Sequence, residues 1–341
     1  MTNTPIHQWQ LNDFGVRNLR YVQATLPALL PHQVMVRVEA VSLNYRDLML
    51  VENRYGMAPP LPFTPGSDMA GTVVAVGSQV TRWRGGERVI SSFYAGWLDG
   101  ISPPEAMPLG GPGPGMLATH VLMDAQWLAA APATMDAAAA STLPCAGLTA
   151  WTALVENGRL HAGQTVLVHG TGGVALFGLQ IARMHGARAI VVSGDSDKQA
   201  KATALGASHV LDRDSDWPAA VLALTQGRGV DHVLETVGGA NLAGSLHALA
   251  VGGHVAFIGV LDASALGGTG FDLIRRRAVV QGINVGHRRS LEALVQAVDA
   301  TALQPVVAAQ YPAIELPAAM AHLARGPFGK LVINFAPDNR D

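Results

Sequence analysis

The chain has 341 residues, more than the ~250–300 at which one hydrophobic core usually stops growing, so two domains are expected. Hydrophobic residues make up 49% and charged residues only 14%, which excludes an intrinsically disordered chain. The net charge of −2, without a long run of Lys and Arg, argues against nucleic acid as a partner.

Cysteine content and the N-terminal segment bear on the compartment. Cys145 is the only cysteine, so the sequence offers neither an intrachain disulfide nor a cysteine-rich metal site. The segment from Met1 to Leu11 is polar and lacks the apolar core of a signal peptide. The alanine-rich stretch from Leu128 to Ala140 is too short to span a bilayer and is interrupted by Pro132 and Asp136. We therefore expect a cytoplasmic protein with no membrane partner.

From about residue 5 to 125, short apolar runs separated by turn residues predict a mostly β domain. The predicted strands are Val34 to Val41, Gly71 to Val76, Arg88 to Ser91 and Thr119 to Met123. The segment from Phe93 to Met116 is rich in Gly and Pro, so we expect a surface lobe or substrate-facing loop there. Residues 1–125 are assigned to the first part of this domain and residues 126–145 to a connecting segment.

From residue 146 onward, β-branched runs alternate with helical patterns. The predicted strands are Thr165 to His169, Arg188 to Ser193, His209 to Asp212, Val230 to Glu235, Gly253 to Ile258 and Val279 to Asn284. Six strands with helices between them predict a doubly wound parallel sheet over residues 146–285. Residues 286–341 contain two helical patterns, Ser290 to Ala300 and Leu316 to Arg325, and a final strand, Lys330 to Phe335, which we expect to return to the first domain.

The strongest motif is the turn Gly170-Thr171-Gly172-Gly173-Val174-Ala175, which lies between a predicted strand and a predicted helix. In a dinucleotide site, Gly170 permits the tight turn, Gly172 lets the backbone approach a pyrophosphate, and Ala175 allows helix and strand to pack closely. Free amides at the helix N-terminus then bind the pyrophosphate. The alternative is a plain turn between two packed elements. The flanking strand and helix, with five further strands, favour a dinucleotide site.

The end of the second strand of this sheet bears on which dinucleotide binds. An acidic residue there would accept hydrogen bonds from the ribose 2′-hydroxyl and favour NADH. The predicted strand ends in Ser193-Gly194, which leaves room for a 2′-phosphate, and Lys198 and Arg213 are cations that could reach it. Each cation could equally be a solvated surface charge, and Asp195 and Asp197 argue for NADH. We predict NADPH.

A series of short motifs covers nearly the whole chain. They are Ser42 to Asp47, Pro65 to Gly71, Val76-Gly77, Gly85 to Val89, Leu148 to Trp151, the glycine turn, Leu205 to Ala207 and Phe328 to Lys330. In their order and spacing they resemble the medium-chain dehydrogenase/reductase superfamily, and within it the zinc-independent members similar to quinone oxidoreductases and alcohol dehydrogenases. The resemblance implies an α/β fold with a GroES-like, mostly β catalytic domain and a Rossmann cofactor domain.

The resemblance also bears on zinc. Zinc-dependent members ligate the catalytic metal with a Cys in the first motif, a His followed by Glu in the second, and a Cys or Asp just before the cofactor domain. This sequence has Asn44 in the first motif, Ser67-Asp68 in the second and only Cys145 at the third position. Because a catalytic zinc needs three ligands of Cys, His or carboxylate type, we expect no metal. Cys145 is interpreted as a small buried apolar residue.

Without a metal, hydrogen-bond donors must stabilise the developing oxyanion. Relatives that resemble this sequence place the motif of Asn44 beside the nicotinamide ribose and the substrate, so Asn44 is expected to donate its amide and Tyr45 a proton. Asn44 equally suits the N-cap of a helix from Tyr45 to Val51. Arg46 and Asp68 are expected to form a salt bridge at the vacated metal position. Alternatively, Arg46 reaches solvent and Asp68 bonds local backbone amides.

Further cofactor contacts are assigned on the resemblance. They are Thr149, Gly259, Val260, Val285 and Lys330, beside the glycine turn and Asn44. A homodimer is also expected, because an apolar edge strand from Val279 to Asn284 would need covering by its twin.

We predict an NADPH-dependent, zinc-independent oxidoreductase that transfers hydride to a small carbonyl, quinone or activated alkene. One alternative is an enoyl-thioester reductase, whose polyphosphate handle would require a basic rim. Arg275-Arg276-Arg277 and Arg288-Arg289 are the only clusters that might supply that rim. Another alternative is a dinucleotide-binding protein without turnover.

Overall fold

The computed structural model describes residues 4–262 and 265–335. It divides into two units, Met1–Cys145 with Gly286–Asp341, and Ala146–Val285. The ends of the predicted segments 1–125 and 286–341, residues 1–3 and 336–341, lie outside the described residues.

The first unit begins with short strands joined by turns, as predicted. Its elements up to residue 140 are β1 (Thr4–Leu11), β2 (Leu19–Leu26), β3 (Gln33–Leu43), α1 (Tyr45–Val51), β4 (Asp68–Val76), β5 (Arg88–Ser91), β6 (Tyr94–Ala95), β7 (Met107–Pro108), β8 (His120–Asp124), β9 (Leu128–Ala130) and α2 (Ala137–Ala140). In β3, the alternating Val34, Val36 and Val38 are buried, which explains why this strand was predictable from its period of two. The antiparallel pair β1 and β2 was not predicted, because the buried apolar residues of β1, Ile6, Trp9 and Leu11, are few and do not keep a strict period of two.

The second unit contains the predicted parallel sheet. Its elements are α3 (Leu148–Trp151), β10 (Thr165–His169), α4 (Gly173–Met184), β11 (Arg188–Ser193), α5 (Ser196–Ala204), β12 (His209–Asp212), α6 (Trp217–Leu224), β13 (Val230–Glu235), α7 (Asn241–Ala248), β14 (Leu249–Phe257), α8 (Gly270–Arg276) and β15 (Val279–Gly282). The strand order is β12-β11-β10-β13-β14-β15, and every pair is parallel. The chain therefore reverses its direction of winding between β10 and β13, which confirms the doubly wound fold.

The C-terminal segment returns to the first unit, as predicted. It consists of α9 (Arg288–Thr301), β16 (Val307–Pro312), α10 (Leu316–Ala324) and β17 (Lys330–Asn334). Strand β17 pairs antiparallel with β3 in a seven-stranded sheet of order β16-β17-β3-β4-β5-β9, and β8 also pairs with β3. The start of β17 therefore lies beside the end of β3, where the motif of Asn44 begins.

One helical stretch, Ala137–Asn157, is long and apolar enough to cross a membrane by length and composition alone, with a mean hydropathy of 1.3. It runs through α2 and α3 and includes π-helical turns, and only its part up to Cys145 falls in the predicted connecting segment 126–145. Of its most apolar window, 78% is buried inside the structure. Burial of this kind is what a core helix requires, since its apolar side chains are already covered by protein.

Candidate functional site

A buried polar cluster forms where three strand ends of the first unit meet. The registers of β17, β3 and β4 bring these ends together. Leu331 in β17 pairs with Leu43 in β3, and Ser42 in β3 pairs with Asp68 at the start of β4. Asn44, which follows β3, is thereby brought beside Lys330. The structure thus brings together three predicted site residues, Asn44, Asp68 and Lys330.

Hydrogen bonds connect this cluster. The Nζ of Lys330 donates to Oδ1 of Asn44 at 2.5 Å, and Nδ2 of Asn44 donates to Oγ of Ser67 at 3.3 Å. Ser67 in turn donates to Oδ1 of Asp68 at 2.7 Å, and the backbone N–H of Cys145 donates to the other carboxylate oxygen at 3.1 Å. Asn44 is 7% exposed and Lys330 4% exposed, while Ser67 and Asp68 are fully buried. Buried polar groups in this region are therefore largely paired with one another.

Burial dominates the acid–base behaviour of the cluster. It raises the pKa of Asp68 above its ordinary value, although the charge of Lys330 and the hydrogen bonds from Ser67 and Asn44 oppose that shift. Burial, together with the nearby charge of Asp68, also raises the pKa of Cys145. Cys145 is partly exposed and not fully buried as predicted, and its raised pKa favours a neutral thiol over a nucleophile.

Helix α1 carries the other predicted residues of this motif. Asn44 occupies the predicted N-cap position, and its backbone N–H donates to the carboxylate of Asp47 at 2.8 Å, as in a capping box. Tyr45 is 41% exposed and so lies outside the buried cluster. The N-cap role weighed for Asn44 is confirmed, and its side chain joins Lys330 and Ser67, whereas its contact with the nicotinamide ribose and the substrate stays a prediction.

The predicted salt bridge between Arg46 and Asp68 is wrong. Arg46 donates to the backbone carbonyls of Leu109 and Gly111, each at 2.9 Å, and its Nη1 lies 3.5 Å from the carboxylate of Asp47. Burial raises the pKa of Asp47 to about 6, and the charge of Arg46 opposes that shift. The cation whose charge acts on the pKa of Asp68 is instead Lys330. Arg46 is only 8% exposed, so it does not reach solvent either.

Arg46 anchors the glycine- and proline-rich segment. Its guanidinium lies 5.0 Å from the ring centroid of Phe93 and 5.5 Å from that of Tyr55, within the range of cation–π attraction. Leu109 is fully buried, so this part of the segment belongs to the core and not to a surface lobe. The exposed part comes earlier, around Ile101, which is 95% exposed.

A double-mutant cycle checks this rearranged pairing. We expect Arg46→Met to lower the free energy of unfolding by about 2–3 kcal/mol, because two buried carbonyls and Asp47 lose their partner. Combined with Asp68→Leu, the effects should add within ~0.5 kcal/mol, since the two side chains do not meet. Combined with Asp47→Leu, they should couple by about 1 kcal/mol or more. Urea unfolding of the single and double variants measures both couplings, and strong coupling to Asp68 would contradict the arrangement.

The glycine turn of the second unit has the geometry of a phosphate cradle. Gly170 follows β10 with a φ of 79°, a left-handed conformation that favours glycine. A Cβ built on Gly172 would meet no heavy atom within 4 Å among the described residues, so the space beside this backbone is open. Helix α4 begins at the next residue and directs its free amides to the same place.

Helix α4 packs closely on the parallel sheet at Gly178, a residue that the sequence analysis did not single out. Ala175 is buried as expected. The tighter contact is at Gly178, where a Cβ would lie 2.1 Å from Cδ1 of Leu234. The sequence could have indicated this close contact, because Gly178 is a further glycine about one helical turn after Val174 of the glycine turn.

The end of β11 carries the candidate 2′-phosphate site. The guanidinium of Arg213 lies across Gly194, because a Cβ built there would be 2.8 Å from Nη2. Arg213 remains 65% exposed, with its Nε 3.6 Å from Asp214. The Asp195 carboxylate caps α5 by accepting the N–H of Lys198 at 3.0 Å, and the Lys198 Nζ lies 3.9 Å from it. Asp195 therefore has a structural role that does not require a ribose.

The other assigned cofactor residues of this unit lie in several elements. Thr149 is buried in α3, and Val285 is buried with a φ of 61°. Val260 is 60% exposed after β14. Gly259 donates its N–H to the Glu235 carbonyl at 3.0 Å, which places it beside the carboxyl end of β13. Ligands of open parallel sheets bind at these carboxyl ends.

A buried carboxylate at the end of β13 was missed altogether. Glu235 is fully buried and accepts the backbone N–H groups of Val237 and Gly238, both at 3.0 Å. It also accepts Nδ2 of Asn241 at 2.8 Å and the Ser245 hydroxyl at 2.6 Å. A carboxyl residue closing a predicted central strand was the available signal, since an unpaired charge there would be very costly.

His169, the last residue of β10, joins this network. Its Nε2 lies 3.0 Å from the Ser245 hydroxyl and 3.7 Å from the Glu235 carboxylate. Burial lowers the pKa of His169, although the charge of Glu235 opposes that shift. The network thus connects the strand before the glycine turn to the loop after β13.

Two models of known protein families match different parts of the chain. Residues 30–133 match the family model of the alcohol dehydrogenase GroES-like domain, and residues 173–300 match that of the zinc-binding dehydrogenases. A zinc-type alcohol dehydrogenase-like protein of Schizosaccharomyces pombe is 33% identical over 318 residues, which cover 89% of this chain and 91% of that protein. The chain belongs to the medium-chain dehydrogenase/reductase superfamily. It is therefore a member of an oxidoreductase family that uses a nicotinamide dinucleotide.

Other members of the superfamily match over almost the whole chain. The quinone oxidoreductase of Rattus norvegicus is 27% identical over 337 residues, covering 94% of this chain and 95% of that protein. The crystal structure of a candidate alcohol dehydrogenase from Sinorhizobium meliloti has a TM-score of 0.94 at 50% identity, and covers 98% of this chain and all of that one. The GroES-like and Rossmann folds predicted from the motifs are thus confirmed.

The residues at the zinc position of the superfamily do not fit a zinc ion. Asn44 and Ser67 offer an amide and a hydroxyl, and both oxygens of Asp68 already accept hydrogen bonds from within the protein. The Lys330 ammonium bonded to Asn44 would also repel a metal cation. Across residues 4–262 and 265–335, no three His, Cys, Asp or Glu side chains are grouped to hold a metal ion.

Proposed function

We propose that this protein is an NADPH-dependent, zinc-independent oxidoreductase that transfers hydride to a small carbonyl, quinone or activated alkene. The observation that carries the proposal is the hydrogen-bonded set of Asn44, Ser67, Asp68 and Lys330 where zinc-dependent relatives hold their metal. An amide donor and a buried cation can stabilise a developing oxyanion without a Lewis acid.

The proposed chemistry assigns a task to each residue. A nicotinamide dinucleotide held by the glycine turn from Gly170 to Gly173 would supply the hydride for the electrophilic carbon of the substrate. The π electrons of the carbonyl or conjugated acceptor move to its oxygen, and Asn44 donates a hydrogen bond to that oxygen. Tyr45, half exposed at the start of α1, donates the proton that completes the reduction.

The arginine clusters weigh against an enoyl-thioester substrate. Arg289 donates to the Asp99 carboxylate at 2.9 Å, and the Nε of Arg288 lies 3.4 Å from Glu292. Arg276 of the other cluster donates to the carbonyl of His247 at 2.7 Å. Much of the positive charge needed for a polyphosphate rim is therefore already engaged within the protein.

A turnover screen tests the proposed function. Purified protein is assayed for NADPH oxidation with aldehydes, ketones, quinones, enones and enoyl thioesters, before and after treatment with a chelator, and its zinc content is measured by elemental analysis. We expect turnover with a carbonyl, quinone or enone that survives the chelator. Activity confined to thioesters, activity lost with the metal, or binding of NADPH without any turnover would each replace the proposal with another.

The cofactor preference is tested at Arg213. Arg213→Ala should weaken NADPH binding about tenfold or more while leaving NADH binding nearly unchanged, because only NADPH carries the 2′-phosphate that the guanidinium would bind. Arg188→Ala is the matched control. Arg188 is the first residue of β11 and Ser193 is the last, so Arg188 lies at the end of the strand that is remote from the candidate 2′-phosphate site. Nucleotide fluorescence titrations measure all affinities. Equal wild-type affinities for the two nucleotides would contradict the preference.

A homodimer in the cytoplasm is proposed as well. Strand β15 is the last strand of its sheet, and Val279 and Val280 at that edge are 51% and 40% exposed. An exposed apolar edge invites pairing with a second copy. We expect light scattering at micromolar concentration to give the mass of two chains. Val279→Lys with Val280→Glu should shift the protein toward monomer, and an unchanged mass would place the contact elsewhere.

A further inference from the structure

Lys330 is the buried one of the three lysines in this chain, with 4% of its surface exposed. Removing an ammonium from water costs several kcal/mol, and hydrogen bonds and opposite charges recover only part of that cost. A methionine would fill a similar volume without the penalty. Packing of β17 therefore gives no reason for a lysine at this position.

The bonds of Lys330 determine how the Asn44 amide is turned. Its Nζ donates to the Leu43 carbonyl at 2.6 Å and to Oδ1 of Asn44 at 2.5 Å. An ammonium can only donate, so the oxygen of the amide must face Lys330 and its nitrogen must face the other way. That nitrogen donates to Ser67 at the longer distance of 3.3 Å.

The same contact changes the strength of the amide as a donor. A positive charge beside Oδ1 draws electron density from the conjugated nitrogen, so the Nδ2 hydrogens become more positive, and successive hydrogen bonds polarise one another in this way. Nδ2 carries two hydrogens. One is directed to Ser67 and the amide also bonds the Asp68 carboxylate, so an acceptor on a bound molecule would take the second hydrogen in place of Asp68.

We propose that Lys330 is a positioning residue, which orients and polarises the Asn44 amide so that Asn44 stabilises the substrate oxygen during hydride transfer. The inference rests on the proposed function. It differs from the assignment of Lys330 as a direct cofactor ligand, because its effect passes through Asn44 and falls on the chemical step.

Enzyme kinetics test whether the effect passes through Asn44. Lys330→Met should lower kcat about tenfold to a hundredfold, and Asn44→Ala by about a hundredfold. The double variant should be no slower than Asn44→Ala alone, since Lys330 would then have nothing to act on. The Kd for NADPH should change less than about threefold in Lys330→Met. Lys201→Met, at an exposed position of α5, is the matched control and should keep wild-type kcat.

Two kinetic outcomes would overturn the inference. If the losses in kcat multiply in the double variant, Lys330 acts independently of Asn44. If Lys330→Met raises the Kd for NADPH with kcat unchanged, Lys330 binds the cofactor directly.

A spectroscopic measurement on the unmodified protein covers the case in which Lys330→Met does not fold. Protein labelled with ¹⁵N-lysine gives ammonium signals for its three lysines, assigned with Lys198→Arg and Lys201→Arg. We expect the Lys330 ammonium to exchange with water far more slowly than that of Lys201, because it is buried and hydrogen-bonded. Equally fast exchange would overturn the inference. The exchange measurement does not depend on turnover. The substrate screen therefore tests the proposed function separately.

Discussion

Gly259→Ala is expected to be among the most damaging single substitutions in this protein. A Cβ built on Gly259 would lie 1.7 Å from the carbonyl oxygen of Thr236 and 2.2 Å from its carbonyl carbon. Backbone atoms cannot move aside as the end of a flexible side chain can, so the loop after β13 and the loop after β14 would have to separate. We expect the free energy of unfolding to fall by about 4 kcal/mol or more.

Gly282→Ala is the matched control for this substitution. Gly282 ends the neighbouring strand β15, and a Cβ there would meet nothing within 4 Å among the described residues. It should change the free energy of unfolding by no more than about 0.5 kcal/mol. Denaturant unfolding and NADPH titration of both variants check the prediction. If Gly259→Ala were as stable as Gly282→Ala, the close approach of the two loops would be wrong.

Glu235→Ala should be almost as damaging, for an electrostatic reason. The substitution leaves the buried Gly238 N–H and Ser245 hydroxyl, and the partly buried Val237 N–H and Asn241 amide, without the acceptor they now share. Unpaired buried donors each cost about 1–3 kcal/mol, and local rearrangement recovers part of the sum. We expect a loss of about 4 kcal/mol in the free energy of unfolding, together with weaker NADPH binding, because the loop that follows β13 loses its anchor.

Asp231→Ala offers the comparison, since Asp231 lies in the same strand, but its carboxylate pairs with the exposed Arg228 and accepts a single backbone N–H, that of Thr165, at 2.8 Å. Its loss should cost about 2 kcal/mol and leave NADPH affinity intact. Thermal and urea unfolding measure the first effect and fluorescence titration the second. A Glu235→Ala variant that bound NADPH normally would restrict Glu235 to a purely structural role.

Four strands of the parallel sheet, β10, β11, β12 and β13, have the predicted bounds, whereas β14 begins at Leu249 and not at Gly253, and β15 ends at Gly282 and not at Asn284. Strands β10, β11 and β13 are mostly buried, and buried parallel strands are nearly continuous apolar runs bounded by turn residues. The pair β1 and β2 lacks such runs, and β16 alternates half-buried and exposed residues at a sheet edge. These strands form because neighbours pair with them, which a local pattern does not show.

The sequence predicted which residues form the polar site better than it predicted which of them bond to each other. Arg46 was expected to share the position of Asn44 because it is two residues away. Two residues along a helix turn the side chain by roughly 200°, so Arg46 leaves on the other side and meets Leu109 and Gly111. Lys330 and Asn44 are 286 positions apart, and only the pairing of β17 with β3 brings them together.

The pairing of β17 with β3 also affects the order in which the two units can fold during synthesis. Strand β17 is synthesised after every other strand described for its sheet, whereas all residues of the parallel sheet have emerged some 45 positions earlier, by Val285. Because domains fold as units during synthesis, the nucleotide-binding half can form while the other still lacks a strand beside β3. The ammonium of Lys330 reaches Asn44 only when that strand is added. We therefore expect a nascent or C-terminally shortened chain to bind a dinucleotide while it still lacks the contact between Lys330 and Asn44 that the proposed reduction uses.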